Sequence, residues 1–114
     1  MAAQLARRFP LRAVAITLRE NPLVWRNSWT AIAYQGGTVH RTRTYEVEIV
    51  DRLGAGDSFA AGLIHGLLDG DLQKGLDYGV AASALKHSIP GDFAWVTRDE
   101  VEALLKGGGL RISR

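Results

Sequence analysis

Ten consecutive residues, Val50-Asp51-Arg52-Leu53-Gly54-Ala55-Gly56-Asp57-Ser58-Phe59, hold the residue types and spacing that could do chemistry. Glycines at 54 and 56 let the backbone turn tightly and come close to a ligand, because no side chain intervenes. The run lies where an apolar strand pattern gives way to an apolar helix pattern. The first amides of such a helix lack internal partners and sit at the positive end of its dipole, so several N–H groups can stabilise one anion. Asp57 stands at the lip of that anion site. A carboxylate beside a bound phosphate is unfavourable for a loop that only binds. It is what a base needs in order to take the proton of an attacking hydroxyl. The plainer alternative is that Asp57 or Ser58 caps the helix.

The elements that must position this run are legible from periodicity. Ala13 to Leu18 is compact, apolar and partly β-branched, the pattern of a buried strand, and Asn21-Pro22 marks a turn after it. Trp29 to Tyr34 and Thr38 to Arg41 flank Gln35-Gly36-Gly37, as in a hairpin. Tyr45, Val47 and Ile49 alternate with Glu46 and Glu48, the pattern of a strand with one dry face. Ala60, Leu63, Ile64, Leu67 and Leu68 recur at the spacing of an amphipathic helix ending near Gly70, with Gly62 and Gly66 one turn apart on it. Leu72, Leu76, Val80 and Ala84 form a second stripe behind Asp71 as N-cap. A third helix opens on Thr97 and Glu100, a capping-box spacing, carries Val101, Leu104 and Leu105, and stops at Gly107–Gly109. Strands first, then a strand feeding a Gly-rich turn and helices, predict a layered α/β fold with a remnant of parallel sheet.

Composition narrows the function classes. The 114 residues suit one domain, and 46% apolar with 23% charged residues is globular composition. A net charge of +2 is too small to point to nucleic acid. The absence of Cys excludes disulfides, thiol nucleophiles and Cys-based zinc sites, and fits the reducing cytoplasm. No apolar run approaches the ~20 residues of a spanning helix. Arg7, Arg8 and Arg12 read as a solvated surface rather than a targeting segment or a phosphate patch. His40, His65 and His87 lack metal-ligand spacing. Trp25, Trp29 and Trp95 read as packing residues.

The run Asp51 to Phe59 resembles the C-terminal signature of ribokinase-like (PfkB) carbohydrate kinases, Asp-Thr-x-Gly-Ala-Gly-Asp-x-Phe. Asp51, Gly54, Ala55, Gly56, Asp57 and Phe59 match, and Arg52 replaces the usual Thr. With Ser58 to Ile64, the strand Ala13 to Glu20 and the run Ala84 to Phe93, the chain is most similar to the bacterial 2-keto-3-deoxygluconate kinases within that family. The resemblance implies the C-terminal, nucleotide-binding and catalytic portion of a three-layer α/β/α fold over residues 1–114, truncated, with the N-terminal sugar pocket and lid absent. Family members are well over twice as long. The chain therefore reads as a fragment, a truncated gene product or one piece of a split kinase.

The roles the resemblance implies are specific. Asp57 is the base, and the amides around Gly54, Ala55 and Gly56 form the anion hole for the transferring γ-phosphoryl group. Thr17, Arg52, Val80, Ala84, His87 and Gly91 lie along the nucleotide groove, with Val80 an apolar wall where many relatives have Asn. By its position beside the loop, Arg52 can touch a phosphate or form an ion pair with Asp51 or a neighbouring acid. Asp51 helps hold a monovalent cation such as K+. ATP and Mg2+ are the implied cofactors, the Mg2+ taking oxygen ligands and substrate phosphates. The expected partners are ATP, a sugar acid, and a second copy or an N-terminal complementing chain. The alternatives are a non-catalytic fragment that binds nucleotide or a partner, and another activity of the family, such as that of a fructokinase or an adenosine kinase.

Overall fold

The computed structural model describes residues 4, 5, 8, 11–23, 26–91 and 96–106. Strand β1 (Ala13–Leu23) pairs with β2 (Arg26–Gln35), and the far edge of β2 pairs with β3 (Thr38–Arg41) and then β4 (Tyr45–Glu48). Every one of these pairings is antiparallel. The expected parallel remnant is therefore corrected. A parallel pair needs a crossover of a dozen or more residues, whereas β2 and β3 are joined by Gly36 and Gly37 alone, both at positive φ.

Two strand boundaries differ from expectation. β1 runs on through Asn21 and Pro22, and its register against β2 shifts between Glu20 and Leu23 instead of ending in a turn. Pro22 has no N–H to give a ladder, so an irregularity is where a strand can accept it. β3 and β4 are two halves of one return strand, interrupted at 42–44. Thr42 fills the gap: its Oγ1 accepts the Ala31 amide at 3.0 Å, and its own amide donates to the Ala31 carbonyl at 3.0 Å.

The dry face of the sheet carries Trp29, Ala31 and Ala33 of β2 with Tyr45 and Val47 of β4, and these join the core with the helices. Helix α1 (Ala55–Leu68) turns back at Gly70 into α2 (Leu72–Lys86), and α3 (Arg98–Leu105) packs on α2. The sheet and α3 both lean on α2, and α1 covers its remaining side. That is why α2 is buried beyond the predicted stripe, with Gly75, Tyr78, Gly79, Ala81, Ser83, Leu85 and Lys86 sealed as well. The predicted caps are present: Asp71 accepts from the Lys74 amide, and Thr97 with Glu100 closes a capping box. The expected stop at Gly107–Gly109 lies outside the described residues.

The apolar face of α1 is a second correction. The buried residues are Ala55, Ser58, Phe59, Gly62 and Gly66, with Leu63 half-buried. Ile64 is 55%, Leu67 42% and Leu68 82% exposed, and Ala60 is exposed too. Helices dock where their backbones can approach most closely. A Cβ added to Gly62 would stand 2.6 Å from Gly79 Cα, and one added to Gly79 2.7 Å from the Phe59 carbonyl oxygen. The glycine faces of α1 and α2 interlock, and the leucine and isoleucine side chains of α1 turn outward.

Candidate active site

After β4 the chain crosses to the C-terminal end of α2 before entering α1. The carbonyl oxygen of His87 receives two amides there, from Val50 at 2.8 Å and Asp51 at 3.2 Å. The Asp51 carboxylate is bound at both ends: Oδ1 accepts the Leu53 amide at 2.9 Å and Oδ2 the Gly91 amide at 2.8 Å. These hydrogen bonds to the ionised form, Leu53 first and Gly91 next, hold its pKa below the usual 3.8, and the charge of Lys86 adds to them. The residue thus clamps the signature loop to the turn at 89–91.

Gly54 follows as the N-cap of α1 at φ 81°, a left-handed conformation that side chains resist, with no side chain capping the helix. The Ala55 amide turns back to the Arg52 carbonyl and the Ser58 amide bonds to Gly54. Between them, the amides of Gly56 and Asp57 find no acceptor among the described residues, as the first turn of a helix dictates. Asp57 is exposed in that first turn, and its carboxylate makes no hydrogen bond or ion pair to another described residue. The helix start itself is anchored, since Ser83 Oγ donates to the Ala55 carbonyl at 2.8 Å inside the core. The arrangement offers donors for an oxyanion and an uncommitted carboxylate beside them, on a fixed helix end.

Beneath the loop lies a cationic layer. His87 is fully buried. Its Nδ1 lies 2.7 Å from the Ser83 carbonyl and its Nε2 3.1 Å from an Arg19 guanidinium nitrogen. A carbonyl can only accept and a guanidinium only donate, so Nδ1 carries the proton, Nε2 offers its lone pair, and the ring is neutral. Burial pushes its pKa below 6.5, and Arg19, Lys86 and Arg52 push the same way. The Arg19 guanidinium lies 4.5 Å from the Trp29 ring centre, and the Trp29 and His87 rings meet edge to face at 5.2 Å. Burial and the charge of Arg52 lower the pKa of Arg19.

The residues expected along a nucleotide groove are only partly brought together. Arg52 is exposed between Asp51 and Leu53, and Gly91 (φ 83°) holds Asp51. Thr17 lies mid-strand opposite Ala31 rather than at a strand end, because β1 continues to Leu23; it shares a sheet face with Arg19 and Trp29. Val80 and Ala84 are sealed in the core between sheet and helices, and His87 is buried as a post under the loop. These three side chains meet protein neighbours on all sides. Arg19, Ser83 and Lys86 were missed. The available signals were an arginine following the apolar run Ala13 to Leu18, and a serine and a lysine in the small, mostly apolar run from Val80 to Lys86.

Among the described residues no group of three or more His, Cys, Asp or Glu gathers to hold a metal. At the position implied for a monovalent cation, the Lys86 ammonium already bonds the Ile89 carbonyl at 2.8 Å and its charge acts on Asp51, so a second cation there would meet a fixed like charge. Among the described residues no helix is long and apolar enough to cross a membrane.

A family model for pfkB family carbohydrate kinases matches residues 1–94, and the chain belongs to that family. It is similar to a 2-dehydro-3-deoxygalactonokinase of Haloferax volcanii, at 37% identity over 115 residues, covering 100% of this chain and 34% of that protein. A 5-dehydro-2-deoxygluconokinase of Bacillus subtilis is 36% identical over 76 residues, covering 63% of this chain and 23% of that protein. The crystal structure of a 2-dehydro-3-deoxygluconokinase from Thermotoga maritima superposes with a TM-score of 0.87 at 44% identity, over 92% of this chain and 32% of that one. The chain spans about a third of the length of the Haloferax volcanii and Thermotoga maritima relatives.

Proposed function

We propose that this chain is the catalytic third of an ATP-dependent sugar-acid kinase acting on a 2-keto-3-deoxy aldonate, with 2-keto-3-deoxygluconate as acceptor. The observation that carries the reading is the exposed Asp57 carboxylate in the same helical turn as the partnerless amides of Gly56 and Asp57. In the reaction the acceptor hydroxyl oxygen bonds to the γ-phosphorus, the bond from that phosphorus to its bridging oxygen breaks, and ADP leaves. Asp57 takes the hydroxyl proton. The helix-start amides stabilise the charge on the phosphoryl oxygens. A positioned base contributes about 10²–10⁴-fold and one well-aimed donor about 10²–10³-fold. Mg2+, bound mainly by the nucleotide's own phosphates, would neutralise part of their charge. Arg52 in the loop and Arg19 beneath it supply positive potential, which favours a polyphosphate.

The names of two relatives support the acceptor class and leave two candidates within it, the gluconate and the galactonate form. The test is a chimera in which this chain replaces the matched third of the Thermotoga maritima kinase, assayed for ADP release with each acid. The chimera should phosphorylate 2-keto-3-deoxygluconate, while the 114-residue chain alone, spanning about a third of the matched kinases, should release no ADP above background. Turnover by the chain alone, or a silent chimera that folds, would overturn this reading.

A further inference from the structure

Lys86 is the last residue of α2 and is 0% exposed. An ammonium removed from water must have its charge met inside the protein. Its Nζ donates to the Ile89 carbonyl oxygen at 2.8 Å, closing the turn that leads to Gly91. Gly91 in turn donates to Asp51, and the next carbonyl along the turn from Lys86, that of His87, receives the Val50 and Asp51 amides. The ammonium also sits at the C-terminal, negative end of the α2 dipole. Its field reaches both groups that fasten the signature loop, drawing down the pKa of Asp51 and adding to the depression at His87.

These are the duties a bound monovalent ion would perform between two loops: collecting a carbonyl oxygen of one and lending positive charge to the carboxylate of the other. The positive charge such an ion would bring is already in place, and a second cation beside it would be repelled. We propose that the Lys86 ammonium is the resident cation of this loop pair, tethering the 87–91 turn to the signature loop and making the anion hole independent of K+. Lys86 is then a positioning residue acting through Ile89, Gly91 and Asp51, and it touches no substrate. The inference rests on reading the Asp51 loop as the support of the anion hole, but its test reads stability and needs no turnover, so the two can fail separately.

Thermal unfolding of the chain, and of the chimera, is followed in potassium, ammonium and choline chloride at equal ionic strength. The unsubstituted protein should melt at the same temperature, within about 1 °C, in all three, because its cation is covalent. Lys86→Ala should melt lower by at least about 4 °C, the shift that accompanies loss of a hydrogen bond in a domain of this size. It should recover part of that loss in potassium or ammonium and none in choline. Lys86→Met, which keeps the apolar stem and lacks the charge, should also melt lower than the unsubstituted protein. A potassium-specific rise in the unsubstituted protein overturns the proposal, and that arm stands even where the variants fail to fold. A Lys86→Met protein as stable as the original, or a folded Lys86→Ala protein indifferent to potassium and ammonium, overturns it too.

Discussion

The amide of Gly91 donates to Oδ2 of Asp51 at 2.8 Å, a contact that spans forty positions of the chain. It joins the turn after α2 to the loop before α1, so the geometry of the anion hole depends on an element that contributes nothing to it directly. The contact works only while Asp51 is ionised. Its pKa is lowered by the Leu53 and Gly91 amides, so its stabilising contribution is present above the unfolded value of 3.8 and is lost as pH falls through the lower folded value. In a ¹³C titration the Asp51 carboxyl should therefore titrate below an ordinary aspartate. Asp51→Asn should speed hydrogen exchange at the Leu53 and Gly91 amides at neutral pH. Unchanged exchange there would remove the clamp.

His87 gives a second pH window with its own sign. Its folded pKa lies below 6.5 because burial disfavours the charged ring. Between that value and 6.5 the unfolded chain binds a proton that the folded chain does not, so stability is full above the window and declines as pH drops through it. Urea midpoints measured from pH 7.5 down to pH 5 should fall, and ¹⁵N shifts should show the Nδ1–H tautomer. A ring that titrates above 6.5 in the folded state would contradict the Arg19 contact.

The glycines of the signature helix separate fold from chemistry. A Cβ at Gly62 would meet the Gly79 backbone at 2.6 Å, whereas one at Gly56 meets nothing within 4 Å. Gly62→Ala should cost about 1–3 kcal/mol by overpacking and lower the melting temperature by several degrees. Gly56→Ala should leave it unchanged or raise it slightly, by up to about 1 kcal/mol of helix propensity. Thermal melts of the two variants side by side check this, and equal losses would mean that α1 and α2 do not interlock through glycine.

The site was more legible in the sequence than the packing around it. Gly54 and the first-turn position of Asp57 are readable because they are local, a turn, a helix start and a carboxylate within four residues, whereas the bond from Gly91 to Asp51 joins loops forty positions apart. The caps Asp71 and Thr97 are legible for the same reason. The face of α1 was misread because side-chain hydrophobicity favours Ile64 and Leu68, while the docking is decided by the absence of side chains at Gly62 and Gly66, a property of two helices at once. The parallel sheet was misread because strand direction is set by pairing, which periodicity does not contain. Val80, Ala84 and His87 were placed along a groove by resemblance, but α2 lies between the sheet and α1, and that layering buries them.

The outward face of α1 leads to the fourth prediction. Asp57 begins the helical row that continues through Ala60, Ile64, Leu67 and Leu68, and Leu53, 64% exposed, lies just before it. A contiguous apolar surface of this kind drives association. The chain should sediment as a dimer or larger at micromolar concentration, and the double substitution Ile64→Lys and Leu68→Lys should shift it toward monomer. A monomeric unsubstituted chain would show that this face tolerates water.

The central claim is that Asp57 takes the proton while the α1 amides hold the phosphoryl group. It is tested most directly by single-turnover transfer of the γ-phosphoryl group to 2-keto-3-deoxygluconate in the chimera, with and without Asp57→Asn. The substituted protein should bind ATP within a few-fold of the original and transfer phosphoryl about 10²–10⁴ times more slowly. Transfer at a near-normal rate with Asn at position 57 would contradict the account.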